Sequence, residues 1–333
     1  DPEEDFSMSD LKDSLEKSSG SKPGYTNSWP PLNNNNKKPA TIKGDFSAKY
    51  PYRWTDKFFE ELQFDEQEIP YSNMPGLTRL AYDPTLIAAY GLHNHNQFLL
   101  DGEIRRRYTA LHMADWLVGN LQEWQGLFFA WPIDYNEPFY QISPPWISCQ
   151  TQGLAISLLL RVAFLNNDAS YEDTVHKAAK LFFVTQDKGG LVSRFEDGGL
   201  AFETFPGKVP TLNFVGNLFA IIGIYELAHY FQSRTHETIF SSAINSLINN
   251  LNRYEHAPFL LKDLHPSQRI ASKFEVDTIT NLLFVLGKLC EEDELLAFAK
   301  KWQTNYTNNM HAMRYLINTK WDAFRFRNVY KKK

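Results

Sequence analysis

One carboxylate stands among aromatic side chains in the segment "DGGLAFETFP", residues 197–206. The Asp197-Gly198-Gly199 run is a strong signal for a β-hairpin turn, because these residues accept the left-handed backbone that such turns require. Glu203 then falls in the second strand of the predicted hairpin. A carboxylate there is either an ordinary strand residue or a general acid or base displayed over a site. Glu203 is the leading candidate for chemistry in this sequence.

Basic residues near the connecting segments form a second group of interest. Solvated surface charge is the default interpretation of each one taken singly. Gathered on one face, they would attract carboxylate or sulfate groups of a ligand. The group consists of Arg194, Lys208, Lys262, His265 and Arg269.

Polar residues also recur at the beginnings of otherwise apolar helical stretches. Helix capping and hydrogen bonding inside the core are the ordinary roles of such residues. Their recurrence at the same end of four helices predicts a shared polar cavity, in which we expect His93, Gln152 and Asn217 to contact a substrate. The full set is His93, Asn94, His95, Gln97, Gln150, Gln152, Asn213, Asn217, Asp277 and Asn281.

Sequence motifs for metal binding, phosphate binding and a serine nucleophile are absent. His93 and His95 suggest a metal site at first, but residues two apart on a helix point to different faces. The sequence contains no phosphate-binding glycine loop, no HExxH motif and no serine nucleophile elbow. We therefore predict no metal and no cofactor.

The charge and composition bear on nucleic-acid binding, membrane insertion and cellular location. The net charge of −5 gives no global indication of nucleic-acid binding. No run of about 20 apolar residues is present, so no membrane span is predicted. The chain begins at Asp1, and a removed N-terminal segment would favour a secretory, cell-envelope or membrane-tethered location. Otherwise a cytoplasmic location is expected.

The elements that must position these residues are mostly helices. From Asp83 onward the sequence reads as helix pairs, in which the first helix is apolar all round and the second is amphipathic. Gly91, Gly153, Gly216 and Asn281 recur in the four first helices at intervals of 62, 63 and 65 residues. Such a period indicates a helical array. We predict a mainly α fold, an α/α toroid forming an incomplete barrel of four or more helix pairs.

The connectors before the inner helices are predicted to be extended. Residues 126–142 read as two strands around Asp134–Pro138, residues 189–206 as the hairpin already described, and 257–266 as another extended segment. Because each precedes an inner helix, all should emerge on one face of the toroid. Loops held on one face by a rigid scaffold are the usual place for function.

The N-terminal part of the chain has a different composition. Residues 1–45 are poor in large apolar side chains and include "NNNNKKP", which predicts a flexible low-complexity tail or stem. Residues 46–333 are predicted to form the toroid domain, and within it 46–82 form an irregular aromatic segment.

Several of these pieces, in order, resemble the C-terminal domain of the D-glucuronyl C5-epimerases. They are "ADWLVGN" (114–120), "WPI" (131–133), "PPWISCQTQGLAIS" (144–157), "FETFP" (202–206), "GNLFAIIGIYEL" (216–227) and "KDLH" (262–265). The resemblance covers about residues 83–305. It implies an enzyme that epimerises uronic acid residues of an acidic polysaccharide without a cofactor, and a possible homodimer.

The resemblance also suggests roles for individual residues. Glu203 and Glu275 become the acid/base candidates, with Tyr135 and Tyr140 in reserve on the preceding connector. The basic residues Arg194, Lys262, His265 and Arg269 would hold carboxylates of the substrate.

The sequence departs from the family pattern at some of these positions. The family usually has a second acid and a tyrosine where Thr204 and Phe205 stand, and tyrosines where Lys262 and Glu275 stand. Two alternatives to epimerisation therefore stay open. One is a polysaccharide lyase or hydrolase on the same toroid. The other is a non-catalytic polysaccharide-binding or assembly protein.

Overall fold

The computed structural model describes residues 49–72 and 81–307, and its described part is built from four helix pairs. The mainly α prediction is confirmed. The pairs are α1 (Pro84–Asp101) with α2 (Ile104–Gly119), α3 (Cys149–Asn166) with α4 (Ser170–Ala179), α5 (Phe214–Phe231) with α6 (Arg234–Asn250), and α7 (Lys273–Cys290) with α8 (Asp293–Thr307).

The first helix of each pair is the inner one, as its sequence predicts. The inner helices pack in series, α1 on α3, α3 on α5 and α5 on α7, and each outer helix covers its partner. Helices α3 and α5 are buried over nearly their whole length. This arc of inner helices inside a layer of outer helices is the predicted incomplete α/α toroid.

Two glycines set the closest approach between inner helices. A Cβ atom at Gly153 of α3 would lie 2.7 Å from the backbone oxygen of Phe219, and one at Gly223 of α5 would lie 2.7 Å from the Cα of Gly153. Both distances are too short for a side chain. The backbones of α3 and α5 therefore touch directly, which only glycine permits at these positions.

Polar side chains cap all four inner helices at their N-terminal ends. Asp83 accepts a hydrogen bond from the Thr85 amide ahead of α1, where Pro84 occupies the first turn. Ser148, Asn213 and Ser272 cap α3, α5 and α7 in the same way. Of the polar residues predicted at the helix beginnings, only Asn213 is one of these caps, and His93, Asn94, His95 and Gln97 lie in the second half of α1 and not at its beginning.

Short antiparallel hairpins precede the inner helices. Each contains two strands, and all four are separate sheets among the described residues. They are β1 (Gln63–Phe64) with β2 (Pro70–Tyr71), β3 (Gln122–Trp124) with β4 (Phe128–Ala130), β5 (Val192–Arg194) with β6 (Leu200–Phe202), and β7 (Glu255–His256) with β8 (Phe259–Leu260). The hairpin predicted at Asp197-Gly198-Gly199 is β5–β6.

The second connector differs from its prediction. Its hairpin turns at Gln125 and Gly126, whose φ angles are +52° and +72°, and not around Asp134–Pro138. Residues 134–138 lie in a longer loop that is held by single bridges, Ile133 with Trp146 and Glu137 with Ile142. Glutamine seldom adopts the left-handed conformation, so the sequence carries no strong turn signal at the true position.

The segment ahead of the first helix pair, residues 49–59, runs against the inner helices. The backbone oxygen of Tyr52 accepts a hydrogen bond from Asn96 of α1, and its hydroxyl lies 3.1 Å from the Thr278 hydroxyl of α7. The Tyr52 ring also packs edge-on against Phe219 of α5 at 5.3 Å. The segment therefore joins the first and last inner helices across the open side of the arc.

A buried ion pair lies beneath the beginning of this segment. Arg161 of α3 and Glu226 of α5 form two hydrogen bonds of 2.5 and 2.9 Å, and each side chain is only 2% exposed. The Arg161 guanidinium lies 4.9 Å from the ring centroid of Tyr50. This pair ties α3 to α5 near their C-terminal ends.

The predicted tail, residues 1–45, lies outside the described residues. Within the described part, the length and composition of one helix, α5 (Phe214–Phe231), would allow it to cross a membrane. That helix is mostly buried inside the toroid, as the core helix of a folded domain would be.

Candidate active site

A cleft of about 500 Å³ opens at the hairpin face of the toroid. The N-terminal ends of α3, α5 and α7 reach it through Gln150, Asn213 and Glu275. Helix N-termini carry partial positive charge and unpaired N–H groups, so their convergence favours an anionic ligand. Four of the predicted site residues line this cleft, namely Tyr140, Lys262, Arg269 and Glu275.

Lys262 and Glu275 form a half-open ion pair in the cleft. The Lys262 Nζ and a Glu275 carboxylate oxygen are 3.0 Å apart, and the side chains are 18% and 24% exposed. The other carboxylate oxygen of Glu275 accepts a hydrogen bond of 2.7 Å from the Ser272 amide in a capping box. Burial raises the pKa of Glu275, but the Lys262 charge and the bonds to Ser272 outweigh it, so the net pKa is lowered.

Tyr140 belongs to a second network in the same cleft. Its hydroxyl donates a 2.5 Å hydrogen bond to Asp263, which is fully buried, and accepts one of 3.4 Å from Arg269. The Arg269 guanidinium also lies 3.9 Å above the ring centroid of Phe139, which holds it by a cation–π contact. Burial and the neighbouring Asp263 raise the pKa of the Tyr140 phenol. Burial likewise raises the pKa of Asp263.

The cleft contains a carboxyl group that the sequence did not single out, Glu137. One of its oxygens accepts a 3.0 Å hydrogen bond from the Phe139 amide. Burial raises the pKa of Glu137 against the opposing charges of Arg269 and Lys262. A carboxyl group whose pKa is raised, in a cleft that also holds cationic groups, is typical of a general acid or base. Glu137 lies in the loop of residues 134–138, where the sequence predicts a hairpin turn, so no sequence signal distinguishes it from other acids.

Phe205 forms part of the cleft wall and supports Tyr140. The two rings stack with centroids 4.7 Å apart. Phe205 stands where the resemblance would place a tyrosine, so this position is occupied by a ring that lacks a hydroxyl group.

Glu203, the leading candidate of the sequence, lies beneath the cleft and not in its wall. The side chain is 1% exposed. It accepts hydrogen bonds from the Thr211 hydroxyl and from the amides of Thr211, Leu212 and Phe205, at 3.0, 3.4 and 3.4 Å for the three amides. Burial raises its pKa to about 7. In this geometry Glu203 fastens the loop after β6 onto the beginning of α5.

Three predicted substrate contacts are also internal. Gln152 is fully buried and joins the Trp131 amide to the Ala178 carbonyl. Asn217 is 1% exposed and accepts a bond from the Phe202 amide.

The third of these internal residues is His93. It pairs with Asp56 at 3.0 Å and is 7% exposed, and burial lowers its pKa. This pairing and low exposure associate His93 with the segment of residues 49–59 and not with the cleft.

The remaining predicted residues surround the cleft without lining it. Tyr135 donates a 3.1 Å hydrogen bond to the helix-capping Asp83. The ring of His265 packs edge-on against Tyr140 at 5.5 Å.

Arg194 is the most remote member of this group. It lies exposed on β5 and donates a 2.9 Å bond to the Gly198 carbonyl of its own turn. Lys208 lies in a neighbouring cleft.

No group of three or more His, Cys, Asp or Glu side chains is suitably placed to hold a metal ion within residues 49–72 and 81–307. The cleft therefore offers two cations, Lys262 and Arg269. It also offers two carboxyl groups, Glu137 and Glu275, and the phenol of Tyr140. Cations beside proton-transfer groups suit the removal of a proton next to a carboxylate.

Comparison with known proteins gives relatives by sequence. A curated D-glucuronyl C5-epimerase of Caenorhabditis elegans is 32% identical over 117 residues, which are 34% of this chain and 18% of that protein. The matched region is thus less than a fifth of the relative's length.

Solved structures show a more distant likeness. A variant of a protein abbreviated UGL, in complex with dGlcA-Glc-Rha-Glc, has a TM-score of 0.45 and 15% identity, over 66% of this chain and 61% of that one. The unsaturated glucuronyl hydrolase from Streptcoccus agalactiae has a TM-score of 0.40 and 16% identity, over 65% and 54%. The fold assignment rests on the chain's own helix pairs and not on these two structures.

The family model described as "D-glucuronyl C5-epimerase C-terminus" matches residues 125–304, which is more than half of the chain. The matched range begins at the turn of the second hairpin and ends within α8, so it contains the cleft and its lining residues. The chain belongs to the D-glucuronyl C5-epimerase C-terminal family.

Proposed function

We propose that this chain epimerises uronic acid residues of an acidic polysaccharide at C5. The observation that carries the proposal is the composition of the cleft. Lys262 and Arg269 lie there together with Glu137, whose pKa is raised, and with the Tyr140 phenol, which donates a hydrogen bond to Asp263. Cations suit the uronate carboxylate, and the C5 proton lies on the carbon next to that carboxylate. The family membership supports the same reaction class.

The proposed reaction has two proton transfers. A base removes the C5 proton, and the electron pair of the broken C–H bond moves into the carboxylate to give an enediolate-like intermediate. Arg269 and Lys262 would stabilise the charge that develops on the carboxylate oxygens. A proton returned to the opposite face of C5 completes the inversion, and no electrons are lost or gained overall.

Glu137 and Tyr140 are the groups proposed to move these protons. The raised pKa of Glu137 brings it closer to neutral pH than a free carboxylate, where a general base works best. Tyr140 would supply the second proton, and its phenolate would be held by Arg269. Water in the cleft would then take the proton from Glu137 and return one to Tyr140, which restores both groups. Glu275 stays a candidate in the cleft, although its bond to Lys262 assigns it first to positioning that cation.

The proposal is tested by proton exchange in deuterated water. Incubation with glucuronate-containing polysaccharides should introduce deuterium at C5 without chain cleavage. Glu137→Gln and Tyr140→Phe should each reduce the exchange rate by about 100-fold or more, the usual contribution of a positioned acid or base. Exchange that survives both substitutions at the normal rate would refute these roles.

The same experiment separates the alternatives. An ultraviolet-absorbing double bond between C4 and C5, formed with chain cleavage, would identify a lyase. The non-catalytic alternative is favoured by Phe205 and Lys262, which replace tyrosines of the family pattern. Binding of the polysaccharide with neither exchange nor cleavage would establish that alternative and exclude the enzyme.

A further inference from the structure

Glu203 is a buried carboxyl group that the proposed proton transfers do not use. It is 1% exposed, and it is not among the residues that line the cleft. Burial of a carboxylate without a cation is costly, even where neutral donors surround it. The groups that donate hydrogen bonds to Glu203 all belong to residues 205–212, so the carboxylate acts on the loop between β6 and α5.

One connection from Glu203 to the cleft runs through Phe205. The Phe205 amide donates a hydrogen bond of 3.4 Å to the Oε1 atom of Glu203. The Phe205 ring stacks on Tyr140, with centroids 4.7 Å apart and ring planes inclined by 27°. Glu203 therefore holds the backbone from which this ring reaches the phenol.

A second connection runs through Thr211. The Thr211 amide donates a 3.0 Å hydrogen bond to the Oε2 atom of Glu203, and the Thr211 carbonyl accepts one of 2.9 Å from the Leu264 amide. Leu264 follows Asp263, whose carboxylate accepts the hydrogen bond of the Tyr140 hydroxyl. The stacking partner of Tyr140 and its hydrogen-bond acceptor are thus both linked to Glu203.

The two oxygens of Glu203 differ in how they can respond to a proton. Oε2 accepts only from amides, those of Thr211 and Leu212, and amide N–H groups cannot accept a proton in return. Oε1 accepts from the Thr211 hydroxyl and from the Phe205 amide, and a hydroxyl can also act as an acceptor. A proton on Oε1 is therefore donated to the Thr211 hydroxyl, and the bond from the Phe205 amide is lost. A glutamine with its NH₂ group in the same place has the same effect.

Three other titratable groups lie close to this layer. Burial raises the pKa of the Cys149 thiol and of the Tyr254 phenol, both of which interact electrostatically with Glu203, so both stay neutral near pH 7. The third is Asp263, whose pKa is also raised by burial. The pKa of Glu203 itself is about 7, so its charge changes in the neutral range.

We propose that Glu203 is a positioning residue for Tyr140. Its ionised carboxylate holds the Phe205 amide, which keeps the Phe205 ring stacked on the phenol and the phenol aligned for proton transfer. Protonation of Glu203 releases this link. Glu203 itself exchanges no proton with the substrate, because it is sealed beneath the cleft. The inference rests on the proposed function for the role of Tyr140 in the reaction.

The link is tested without substrate by NMR of protein labelled with ¹³C at the tyrosine Cζ atoms. The Tyr140 signal is identified by its absence from Tyr140→Phe. We expect this signal to shift as the pH crosses about 7, because the ring current of Phe205 changes with the stacking. In Glu203→Gln that step should be absent, and the signal should stay at the position that the wild type shows at low pH.

Glu237→Gln is the matched control. Glu237 lies on α6, is 2% exposed and has a pKa raised by burial, but it does not line the cleft. The same substitution at this equally buried carboxyl group should leave the Tyr140 step near pH 7 unchanged.

The rate of C5 exchange gives a second measurement. At about pH 8, Glu203→Gln should reduce kcat by about tenfold, since a displaced proton-transfer group lowers the rate. KM should change less than about twofold, because no contact to the bound substrate is removed. The ratio of the wild-type and variant kcat values should shrink as the pH falls through about 7, because residue 203 is then uncharged in both proteins.

The outcomes separate this inference from the proposed function. A Tyr140 step that persists in Glu203→Gln, or a kcat ratio that does not change with pH, would overturn the positioning role. A step that is lost in Glu203→Gln, in a protein that exchanges no C5 proton, would uphold that role and refute epimerisation.

A second variant covers the case in which Glu203→Gln does not fold, which circular dichroism would show. Phe205→Leu removes the stacked ring and leaves the bonds to the Glu203 carboxylate in place. It should likewise abolish the Tyr140 step near pH 7. A step that survives this substitution would overturn the proposal.

Discussion

Two cation–carboxylate pairs occupy different depths of the toroid, and they serve different ends. Arg161 and Glu226 are each 2% exposed and join α3 to α5 by two hydrogen bonds. Lys262 and Glu275 share one contact of 3.0 Å and are 18% and 24% exposed. The first pair is sealed by protein on all sides, whereas the second faces an open cleft.

The contrast shows how burial decides what a charge can do. A sealed pair cannot exchange its partner for a ligand, because separating it would leave a charge in the protein interior. A half-open pair keeps part of its hydration, so a substrate carboxylate can compete for the lysine at small cost. The deep pair is therefore a structural contact, and the cleft pair is the one available for binding.

The largest effect is expected from breaking the deep pair. Glu226→Gln keeps the shape of the side chain but leaves the Arg161 charge without its counter-ion. We expect the free energy of unfolding to fall by about 3–5 kcal/mol, measured by urea denaturation. The matched control, Glu275→Gln, should change it by no more than about 1 kcal/mol. Similar losses in the two variants would contradict the contrast.

Glu203 is a third carboxyl group, which is buried like Glu226 but is held by neutral groups. Its pKa of about 7 lies above the value of about 4.3 in an unfolded chain. Between these values the folded state binds the proton more tightly, so this contribution to stability is complete below about pH 4 and is lost as the pH rises through about 7.

Glu203→Gln should abolish this component of the pH dependence, which is on the order of 3 kcal/mol. Urea midpoints of the wild type and the variant at about pH 4.5 and about pH 8 provide the measurement. If both proteins lose the same stability over that range, the carboxyl group of Glu203 does not titrate as described.

A smaller effect is expected from Lys262→Met in the cleft. The variant should bind a uronate oligosaccharide about tenfold more weakly, the loss of one ionic contact of about 1.4 kcal/mol. Its stability should change by no more than about 1 kcal/mol. The pKa of Glu275 should rise, since Lys262 is among the groups that lower it, and carboxyl titration by NMR would show this. Unchanged affinity would remove Lys262 from the binding site.

The smallest effect belongs to Arg194→Ala. This arginine is an exposed cation that bonds only the turn of its own hairpin among the contacts described for it, and it does not line the cleft. We expect less than about a twofold change in KM for the oligosaccharide. A tenfold rise would mean that the substrate extends over the β5–β6 hairpin, and the distinction between cleft and surface cations would fail.

The scaffold could be predicted because its signals are local. Apolar periodicity identifies inner and outer helices, and Asp83-Pro84 and Asp197-Gly198-Gly199 mark a helix start and a turn. The position of the second hairpin is not predictable from the sequence, because its turn uses Gln125, a residue with little preference for the left-handed backbone.

The site was predictable only in part, because the burial of a side chain depends on tertiary packing and not on the neighbouring sequence. Tyr140, Lys262, Arg269 and Glu275 do meet in one cleft. Glu203 lies below it because residues 204–212 fold back and present the Thr211 and Leu212 amides to its carboxylate. Glu137 enters the cleft from an irregular loop whose path no periodicity describes.

Residues 49–59 are early in the chain but contact helices that come much later. They are synthesised before any of the described helices, yet the Tyr52 hydroxyl contacts Thr278, which lies 226 residues later in the chain. Contacts so distant in sequence are costly to form early and slow the folding of a chain. We expect the four helix pairs to assemble first and residues 49–59 to dock last, so the earliest described residues to leave the ribosome are among the last to become ordered.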